Sequence, residues 1–524
     1  MPATSVKHVF SPKYEYVKGK DAWRRNLLST SLAAERIRSS FGPNGAYKMV
    51  TYNRGPEKVI KITRDPVAVL EELAIQYPIL VVFSEAAKIQ RQEIGDGVKT
   101  FVILTAALLK KADELISKGI HPNVVVRGYK EAAKKALEII NSQSQNADGN
   151  YFEHVLDTVD CGRNCLNDDL RRLITEAQAV AKKDGSFDKD KVRVIRKPGA
   201  SLKETELIKG LIIKKEKIHP SMPDMLEKPK IAITSESIGT NRFEVKMRGQ
   251  GPFHLQYNIS EPHSLADYRI VEKQLKTDAL KKAAELHVNV LFSQQPIDNF
   301  SKSRLLEMGV LAFDGVDRKE LDAISRATGT RIVGPISDLQ ESDMGTTDKL
   351  ETGEIGLEKI VTLTGCDFVT FLIRGSNLQG LDELELLIRN ALSLLAVTSS
   401  SCMSVSGGGA IETQIGRTLK SFALQFSGKE QLAVDCFAEA VLEIPRCLAA
   451  NNGLNPDDVM LQLSKLHAEG SIDYGICSEG CINKVCVDVS EAKSAALRRA
   501  FEVVSLILRI DEQIIAKETK KFHK

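Results

Sequence analysis

The chain has 524 residues, of which 43% are hydrophobic, 27% charged and 6% aromatic, a composition typical of a folded protein rather than a disordered one. Lysine and arginine number 72 against 69 aspartates and glutamates, which gives a formal net charge of +3. This near-balance disfavours a strongly basic nucleic-acid surface or a polybasic membrane anchor as the main theme, and the length suggests roughly three or four domains.

Targeting signals and cysteine usage together predict a cytoplasmic protein with no membrane partner. The longest apolar runs, such as Phe101 to Leu109, are closed by charges well before the roughly 20 residues that a membrane-spanning helix needs. The first 20 residues lack the apolar segment and cleavage site of a secretory signal. The nine cysteines are an odd, scattered set without a Cys-x-x-Cys pair, so we expect neither a disulfide framework nor a metal site.

Helical periodicity dominates the first 140 residues. The spacing of apolar residues predicts helices at 22–40, 67–76, 78–94, 99–117 and 122–140, with one short strand at 59–63. Turn sequences separate these elements. Gly42-Pro43-Asn44-Gly45 cannot continue the first helix, and Gly95-Asp96-Gly97 lies between two others.

The middle of the chain has a different pattern from the two ends. From about 190 to 375, short β-like runs alternate with helical segments such as 264–286 and 317–327, which is typical of an α/β unit. After residue 378 the periodicity predicts helices again, at 380–398, 410–426, 429–450, 455–466 and 488–516. This order suggests that the two helical ends pack as one discontinuous domain with the α/β middle inserted.

Three glycine-bearing turns carry the main chemical signal. We call residues 42–45, 95–97 and 407–409 the first, second and third glycine turns. Glycine lets a backbone approach a phosphate closely, and the N–H groups that begin a helix favour anions. An aspartate between two glycines, Asp96, could reach a Mg²⁺ ion that bridges phosphate oxygens. The alternative is that each is merely a turn between helices, and none matches the Walker A pattern.

The residues around these turns resemble the group II chaperonins, the thermosome and TCP-1 ring family. Residues 40–50, SFGPNGAYKMV, are similar to the family signature S-L-G-P-x-G-x-x-K-M, and the second glycine turn lies where the family has G-D-G-T-T. Further similar stretches follow in the family's order at 119–122, 216–223, 372–375, 407–410, 437–445, 452–454 and 507–511. The resemblance therefore runs from residue 40 to residue 511.

The resemblance implies a multidomain α+α/β subunit. It implies a mainly helical, discontinuous equatorial domain that binds nucleotide (1–142 and 396–524), a small intermediate domain (143–208 and 366–395) and an α/β apical domain with a helical protrusion that binds substrate (209–365). In the family, such subunits form two stacked rings around a chamber, and ATP drives closure of a lid over unfolded polypeptide. The lid-forming protrusion corresponds to about 238–271, whose apolar side chains would bind unfolded clients or neighbouring lids, or form the protrusion's own small core.

The resemblance also implies the residues that hold ATP and Mg²⁺. The Mg²⁺-binding aspartate corresponds to Asp96, the acidic residue near the nucleoside to Asp488, and the aspartate of the family's T-N-D-G element to Asp65. The implied nucleotide contacts are Ser40, Gly42, Pro43, Asp96, Gly97, Val98, Lys99, Thr100, Gly162, Arg163, Gly408 and Asp488. The implied catalytic positions are those of Asp65 and Asn390.

Several departures from the family pattern fall on this site. Val98 and Lys99 replace two threonines whose hydroxyls would serve phosphate oxygens. Lys99 could offer its charge to the phosphates instead, but a lysine at a helix start is expected to face solvent. Pro66 replaces a glycine, which removes both backbone freedom and a donor. Asn390 stands where the family has its catalytic aspartate, and an amide cannot accept a proton from water as a carboxylate can. We therefore expect impaired hydrolysis.

Two functional hypotheses remain open from the sequence. In the first, the chain is a chaperonin subunit that binds ATP with impaired hydrolysis and serves in a ring with other subunit types. In the second, it is a fully active ATP-hydrolysing subunit, which the retained Asp65 and Asp96 favour. An unrelated metabolic enzyme is disfavoured because the sequence offers no other catalytic constellation.

Overall fold

A computed structural model describes residues 14–54, 57–74, 77–146, 151–160, 166–183, 186–238, 244–245, 253–254, 280–356, 358–484 and 487–516. The chain divides into two compact units. The first unit contains residues 1–174, 185–187 and 382–524, and the second contains residues 175–184 and 188–381. The three-domain division expected from the resemblance, with its finer boundaries, stays a prediction.

Helices dominate both ends of the chain. They span Lys20–Arg38, Pro66–Ala74, Ile79–Glu93, Val98–Ser117, Pro122–Gln143, Tyr151–Asp160, Asp168–Ala181, Leu378–Ser400, Ala410–Ala423, Lys429–Val441, Glu443–Asn451, Pro456–Ala468 and Ser490–Ile507. Local chemistry explains several starts. Pro122 occupies the first helical position, where its missing N–H costs nothing, and the His121 ring accepts a hydrogen bond from the backbone N–H of Asn123 at 3.2 Å.

The core of the first unit is built from both ends of the chain. Buried side chains from residues 23–140 and from 405–508 belong to one hydrophobic cluster. Tyr129 and Phe437 meet edge to face with ring centroids 5.5 Å apart, and a Cβ on Gly128 would lie 2.5 Å from that of Ala433. Only glycine at 128 allows the helices Pro122–Gln143 and Lys429–Val441 to approach so closely.

Small sheets complete the first unit and position its loops. Tyr14–Lys18 pairs antiparallel with Glu512–Ala516, and Lys48–Arg54 with Glu57–Thr63. Met403–Ser406 pairs with both Val487–Val489 and Gln145–Asn146, and Tyr474–Ile476 forms a hairpin with Ile482–Lys484. The strands Met403–Ser406 and Val487–Val489 deliver the third glycine turn and Asp488 to neighbouring positions.

The second unit is an α/β structure with its own core. Leu311–Phe313, Val290–Ser293, Lys230–Thr234 and Ile332–Val333 form a parallel sheet, to which Gly345–Thr346 adds an antiparallel strand. An antiparallel sheet has the order Met225–Glu227, Lys349–Ile355, Glu358–Thr364, Leu211–Ile213, and a third sheet joins Val192–Pro198, Val369–Gly375 and Glu206–Lys209. Helices Asn299–Glu307 and Arg318–Thr328 and residues 280–285 accompany these sheets. Together with the helical ends, this confirms the expected α+α/β fold class.

Two helix predictions near the C-terminus are wrong. The helix expected at 429–450 is two helices that meet at Leu442, because Pro445 lies in the first turn of the second one, where it needs no N–H partner. The helix expected at 488–516 is a strand, Val487–Val489, a helix, Ser490–Ile507, and a second strand, Glu512–Ala516. Both strands pair with strands that are distant in the sequence, and helical periodicity gives no signal for such pairing.

Two further expectations concern the cysteines and the protrusion. The sequence predicted no disulfide framework, and the structure pairs two of the described cysteines, Cys477 and Cys481, because the turn of the hairpin Tyr474–Lys484 brings their Cα atoms to 5.5 Å. The predicted protrusion at 238–271 lies outside the described residues, apart from Ile238 and the paired strands Glu244–Val245 and Phe253–His254. Within the described part of the chain no helix is long and apolar enough to cross a membrane.

Candidate functional site

All three glycine turns lie at one cleft in the first unit. The cleft has a volume of about 560 Å³, within the range usual for small-molecule sites. Most residues that the sequence singled out line it: Gly42, Pro43, Asp65, Asp96, Gly97, Val98, Lys99, Thr100, Asn390, Gly408 and Asp488. Residues from positions 42 to 488 of the chain thus meet at one place.

Ser40 is the one described sequence candidate that does not line the cleft, and Gly162 and Arg163 lie outside the described residues. Ser40 stands apart because its hydroxyl donates to the Ile37 carbonyl at 2.7 Å at the end of the preceding helix, and its side chain is buried. Its carbonyl accepts a hydrogen bond from Lys99 Nζ at 2.7 Å, so Ser40 contributes only through that lysine.

The first glycine turn is held open by side chains around it. Gly42 has a φ of +81°, and a Cβ there would meet Leu448 at 2.8 Å. Buried Arg64 donates to the Gly42 carbonyl at 2.6 Å, and Asn451 donates to the Phe41 carbonyl at 2.8 Å. These donors fix the turn with its backbone facing the cleft, which a flexible loop could not achieve.

The second and third glycine turns each begin a helix at the cleft. Gly97, with a φ of +77°, precedes Val98–Ser117, and Gly409, with a φ of +81°, precedes Ala410–Ala423. A helix start carries N–H groups without intrahelical partners and the positive end of the helix dipole. Two such starts at one cleft give it a strong preference for an anion such as a phosphate group.

Asp96 is the carboxylate best suited to a divalent cation. Burial raises its pKa, and the neighbouring charge of Asp488 raises it further, whereas the Gly97 N–H, Lys493 and Lys99 lower it less. Among the described residues no cation forms an ion pair with Asp96. A hard cation such as Mg²⁺ takes carboxylate oxygens and would offset this cost, so the donor chemistry fits Mg²⁺.

The acidic side of the cleft is balanced by one lysine. Lys493 Nζ lies 2.8 Å from Asp488 Oδ2 and 2.8 Å from Glu412 Oε1. Burial lowers the pKa of Lys493, but the charges and hydrogen bonds of the two carboxylates outweigh it, so the net shift is upward and the lysine stays charged. This arrangement fixes Asp488 at the cleft wall and leaves the acidic pair with one net negative charge.

The cleft also contains the two positions that the resemblance implies for hydrolysis. Asp65 lies directly before the helix Pro66–Ala74 and accepts hydrogen bonds from the N–H groups of Val67 at 3.1 Å and Ala68 at 3.3 Å. Pro66 occupies the first helical position, where a proline needs no N–H partner, so its replacement of glycine is structurally accommodated. Asn390 lies on the helix Leu378–Ser400, and its carbonyl closes against Gly95, where a Cβ would be 2.3 Å away.

The expectation that Lys99 faces solvent is wrong. Its ammonium lies in the cleft and donates to the Ser40 carbonyl, and the side chain is half-buried. The reason is that the helix start at Val98 lies directly beside the first glycine turn, so the first helical turn has protein on one side.

Sequence reasoning missed several charged residues of the cleft. Arg91 pairs with Asp65 at 2.7 Å, Arg171 pairs with Asp157 at 2.7 Å, and Lys493 holds Asp488 as described above. Arg91 and Lys493 lie five residues from Asp96 and Asp488 along the chain, but only the helix orientation decides that they turn towards the cleft. Their spacing from Asp96 and Asp488 could have made Arg91 and Lys493 candidates, but it does not indicate which face of the helix each residue occupies.

Comparison with known proteins decides the family. The model of the TCP-1/cpn60 chaperonin family matches residues 33–518. The chain belongs to the TCP-1/cpn60 chaperonin family. This chaperonin subunit is 35% identical to a thermosome subunit from Methanopyrus kandleri, over 97% of the chain and 94% of the relative. It is also 33% identical to thermosome subunit alpha from Archaeoglobus fulgidus (96% and 93%) and 35% identical to thermosome subunit beta from Methanothermobacter thermautotrophicus (95% and 92%).

These similarities confirm the predicted group II chaperonin subunit and support a chaperonin role in protein folding. The match extends along nearly the whole length of the chain and of its relatives, so it includes both compact units. The residues that would bind and turn over nucleotide are a separate question, which the geometry of the cleft addresses.

Proposed function

We propose that the chain is a ring-forming chaperonin subunit that binds Mg²⁺-ATP in the cleft, has impaired hydrolysis, and assists the folding of unfolded polypeptides together with other subunit types. The observation that carries the proposal is the meeting of three glycine turns and Asp96 at one cleft whose implied catalytic position holds Asn390. The glycine turns and Asp96, which suit the binding of nucleotide and Mg²⁺, are present. The aspartate that would take a proton from water is replaced by Asn390.

The proposed binding mode assigns a task to each part of the cleft. The backbone N–H groups at Gly97–Val98 and Gly409–Ala410 would receive phosphate oxygens, and Lys99 would add a positive charge beside them. Asp96 would hold Mg²⁺, which neutralises phosphate charge when it is bound. Phe41, Leu448 and Ile476 give the cleft an apolar portion that suits a nucleobase.

Impaired hydrolysis follows from the chemistry of the position that Asn390 occupies. The Asn390 amide can hydrogen-bond to a water molecule but cannot take its proton. Asp65 retains a carboxylate, and this retention supports the alternative of a fully active subunit. The two proposals differ in turnover and agree on binding.

The deciding experiment measures binding and turnover on the same purified full-length chain. We expect isothermal titration calorimetry to detect ATP binding that depends on Mg²⁺ and is lost in Asp96→Asn, and single-turnover hydrolysis to be very slow. Asn390→Asp together with Val98→Thr should accelerate hydrolysis by roughly 10²-fold or more, the contribution of a positioned base. Sedimentation of the same sample, alone and with candidate partner subunits, tests the mixed ring.

Asn377→Asp is the matched control, because it makes the same charge change near the start of the same helix, where Asn377 already accepts a hydrogen bond from Gln379 and an aspartate can do so equally. It should leave hydrolysis unchanged. Fast turnover by the unmodified chain would establish the fully active alternative. Absence of any ATP binding would reject both.

A further inference from the structure

Arg91 and Asp65 form an ion pair at the cleft, beside the positions that the resemblance implies for hydrolysis. Arg91 lies in the last turn of the helix Ile79–Glu93, directly before the second glycine turn, and its Nη1 atom is 2.7 Å from Asp65 Oδ2. The Asp65 side chain is only 6% exposed, whereas that of Arg91 is 25% exposed, and both residues line the cleft. The carboxylate is therefore more deeply buried than the guanidinium that pairs with it.

The hydrogen-bonding capacity of Asp65 is largely committed. Oδ1 accepts from the Val67 N–H, and Oδ2 accepts from both the Ala68 N–H and Arg91. A carboxylate has about four acceptor sites, and three donors with one full positive charge leave little capacity for a water molecule or a metal ion. The two backbone donors serve the helix start, but Arg91 serves no other carboxylate among the described residues.

We propose that Arg91 is a positioning residue that withholds Asp65 from the chemistry of the cleft, by competing with a divalent cation and with water for its carboxylate. This inference deepens the proposed function and rests on it where nucleotide turnover is concerned. It adds a second, independent cause of slow hydrolysis to Asn390. It also implies that restoring an aspartate at 390 leaves the other carboxylate of the wall still neutralised.

A test without nucleotide isolates the competition. Mn²⁺ binding to the full-length chain is followed by electron paramagnetic resonance for the wild type, Arg91→Gln and Arg91→Lys. Arg91→Gln removes the charge and should increase Mn²⁺ affinity by about tenfold, since affinity for a hard cation follows the number of charged ligands. Arg91→Lys keeps a cation beside Asp65 and should stay close to the wild type.

The double variant Asp65→Asn/Arg91→Gln identifies the carboxylate responsible. It should lose the gain in Mn²⁺ affinity, while the amide oxygen that replaces the carboxylate can still accept from the helix start. This variant also guards against misfolding, because it leaves no unpaired charge at the wall. Equal Mn²⁺ affinity in Arg91→Gln and wild type, with particle size and circular dichroism unchanged, would overturn the proposal.

A second arm measures turnover in the Asn390→Asp background. Adding Arg91→Gln should raise the single-turnover rate at least about tenfold further, with the apparent ATP affinity little changed, and adding Arg91→Lys should not. A loss of ATP affinity in Arg91→Gln without a gain for Mn²⁺ would mean that Arg91 serves the anion, which contradicts the proposal. If no variant binds ATP, the proposed function fails, and the Mn²⁺ arm still decides the role of Arg91.

Discussion

Asp65 and Asp96 are two carboxylates on the walls of one cleft, and the chain treats them in opposite ways. Asp65 is tied by two backbone N–H groups and the Arg91 guanidinium. Asp96 receives a backbone hydrogen bond from Gly97, and burial and Asp488 raise its pKa. The carboxylate that would bind a cation therefore carries a charge that is only partly compensated, and the carboxylate that would assist hydrolysis carries a charge that Arg91 neutralises.

This difference teaches that binding and turnover depend on separable groups. Side-chain donors such as Arg64 fix the first glycine turn, whereas the second and third turns are positioned by the helices that they begin. The hydrolytic wall depends on a few side chains, and single replacements such as Asn390 can alter it without disturbing the fold. A chaperonin subunit can therefore keep a nucleotide cleft while its capacity for turnover changes.

The largest expected effect comes from removing the lysine that balances the acidic side of the cleft. Lys493→Met leaves Asp488 and the buried Glu412 without their cation, and breaking a buried pair from one side costs about 3–5 kcal/mol. Chemical denaturation should show this loss at neutral pH.

The matched control for this change is Lys465→Met, a lysine in the last turn of the helix Pro456–Ala468 that has no acidic partner among the described residues. It should cost less than about 1 kcal/mol. Similar losses of stability in the two variants would mean that Asp488 and Glu412 are solvated and do not depend on Lys493. That result would contradict the electrostatic difference between Asp65 and Asp96 described above.

The next prediction is that the free energy of unfolding changes in opposite directions when Asp65 and Asp96 are each replaced by asparagine. Asp65→Asn keeps an acceptor for the helix start but loses the ion pair with Arg91, which should cost about 2 kcal/mol. Asp96→Asn removes a carboxylate that folding disfavours, and it should stabilise the nucleotide-free chain by about 1 kcal/mol. Thermal unfolding without Mg²⁺ or nucleotide measures both.

The pH dependence of Asp96→Asn follows from the direction of the shift. Folding raises the pKa of Asp96 above its ordinary value of 3.8, so the folded chain holds that proton more tightly. Well below pH 3.8 the aspartic acid is neutral in both the folded and the unfolded state, and wild type and variant should be equally stable. The advantage of the variant should grow as the pH rises through the folded pKa. Destabilisation by Asp96→Asn at pH 7 would contradict the contrast.

The parts of this site that the sequence could predict are those carried by local motifs. The glycine turns, Asp96 and the altered position of Asn390 each lie within short stretches whose order along the chain resembles the family. The α+α/β fold class followed from periodicity for the same reason, since helical and β-like runs are local patterns.

The parts that could not be predicted depend on contacts between distant residues. Arg91 pairs with a residue 26 positions earlier and Lys493 with one 81 positions earlier, and neither pairing leaves a local pattern. The strand Val487–Val489 was missed because its partner strand, Met403–Ser406, is distant in the sequence. The break between Lys429–Val441 and Glu443–Asn451 was missed although Pro445 marks it locally, because apolar periodicity continues across it. The role of Lys99 was misjudged because solvent exposure at a helix start depends on its neighbour.

A difference of about 1 kcal/mol between two glycine variants tests whether the second glycine turn is shaped by close approach or by backbone conformation alone. Gly97 and Gly119 have similar φ angles, +77° and +83°, but a Cβ at 97 would lie 2.9 Å from the Ala492 carbonyl, whereas one at 119 would meet nothing within 4 Å. Both alanine variants should lose about 1 kcal/mol from the left-handed conformation, and Gly97→Ala should lose roughly 1 kcal/mol more from the clash.

Only Gly97→Ala should also weaken Mg²⁺-ATP binding, because the displaced turn carries Asp96 and the start of the helix Val98–Ser117. Calorimetric titration of both variants measures this. Equal ATP affinity in the two variants would mean that ATP binding tolerates displacement of the second glycine turn. The position of Asp96 would then depend less on the backbone than we propose. A loss of ATP affinity in Gly97→Ala alone would show that main-chain packing holds the second glycine turn in place, whereas Asp65 is held by its ion pair with Arg91.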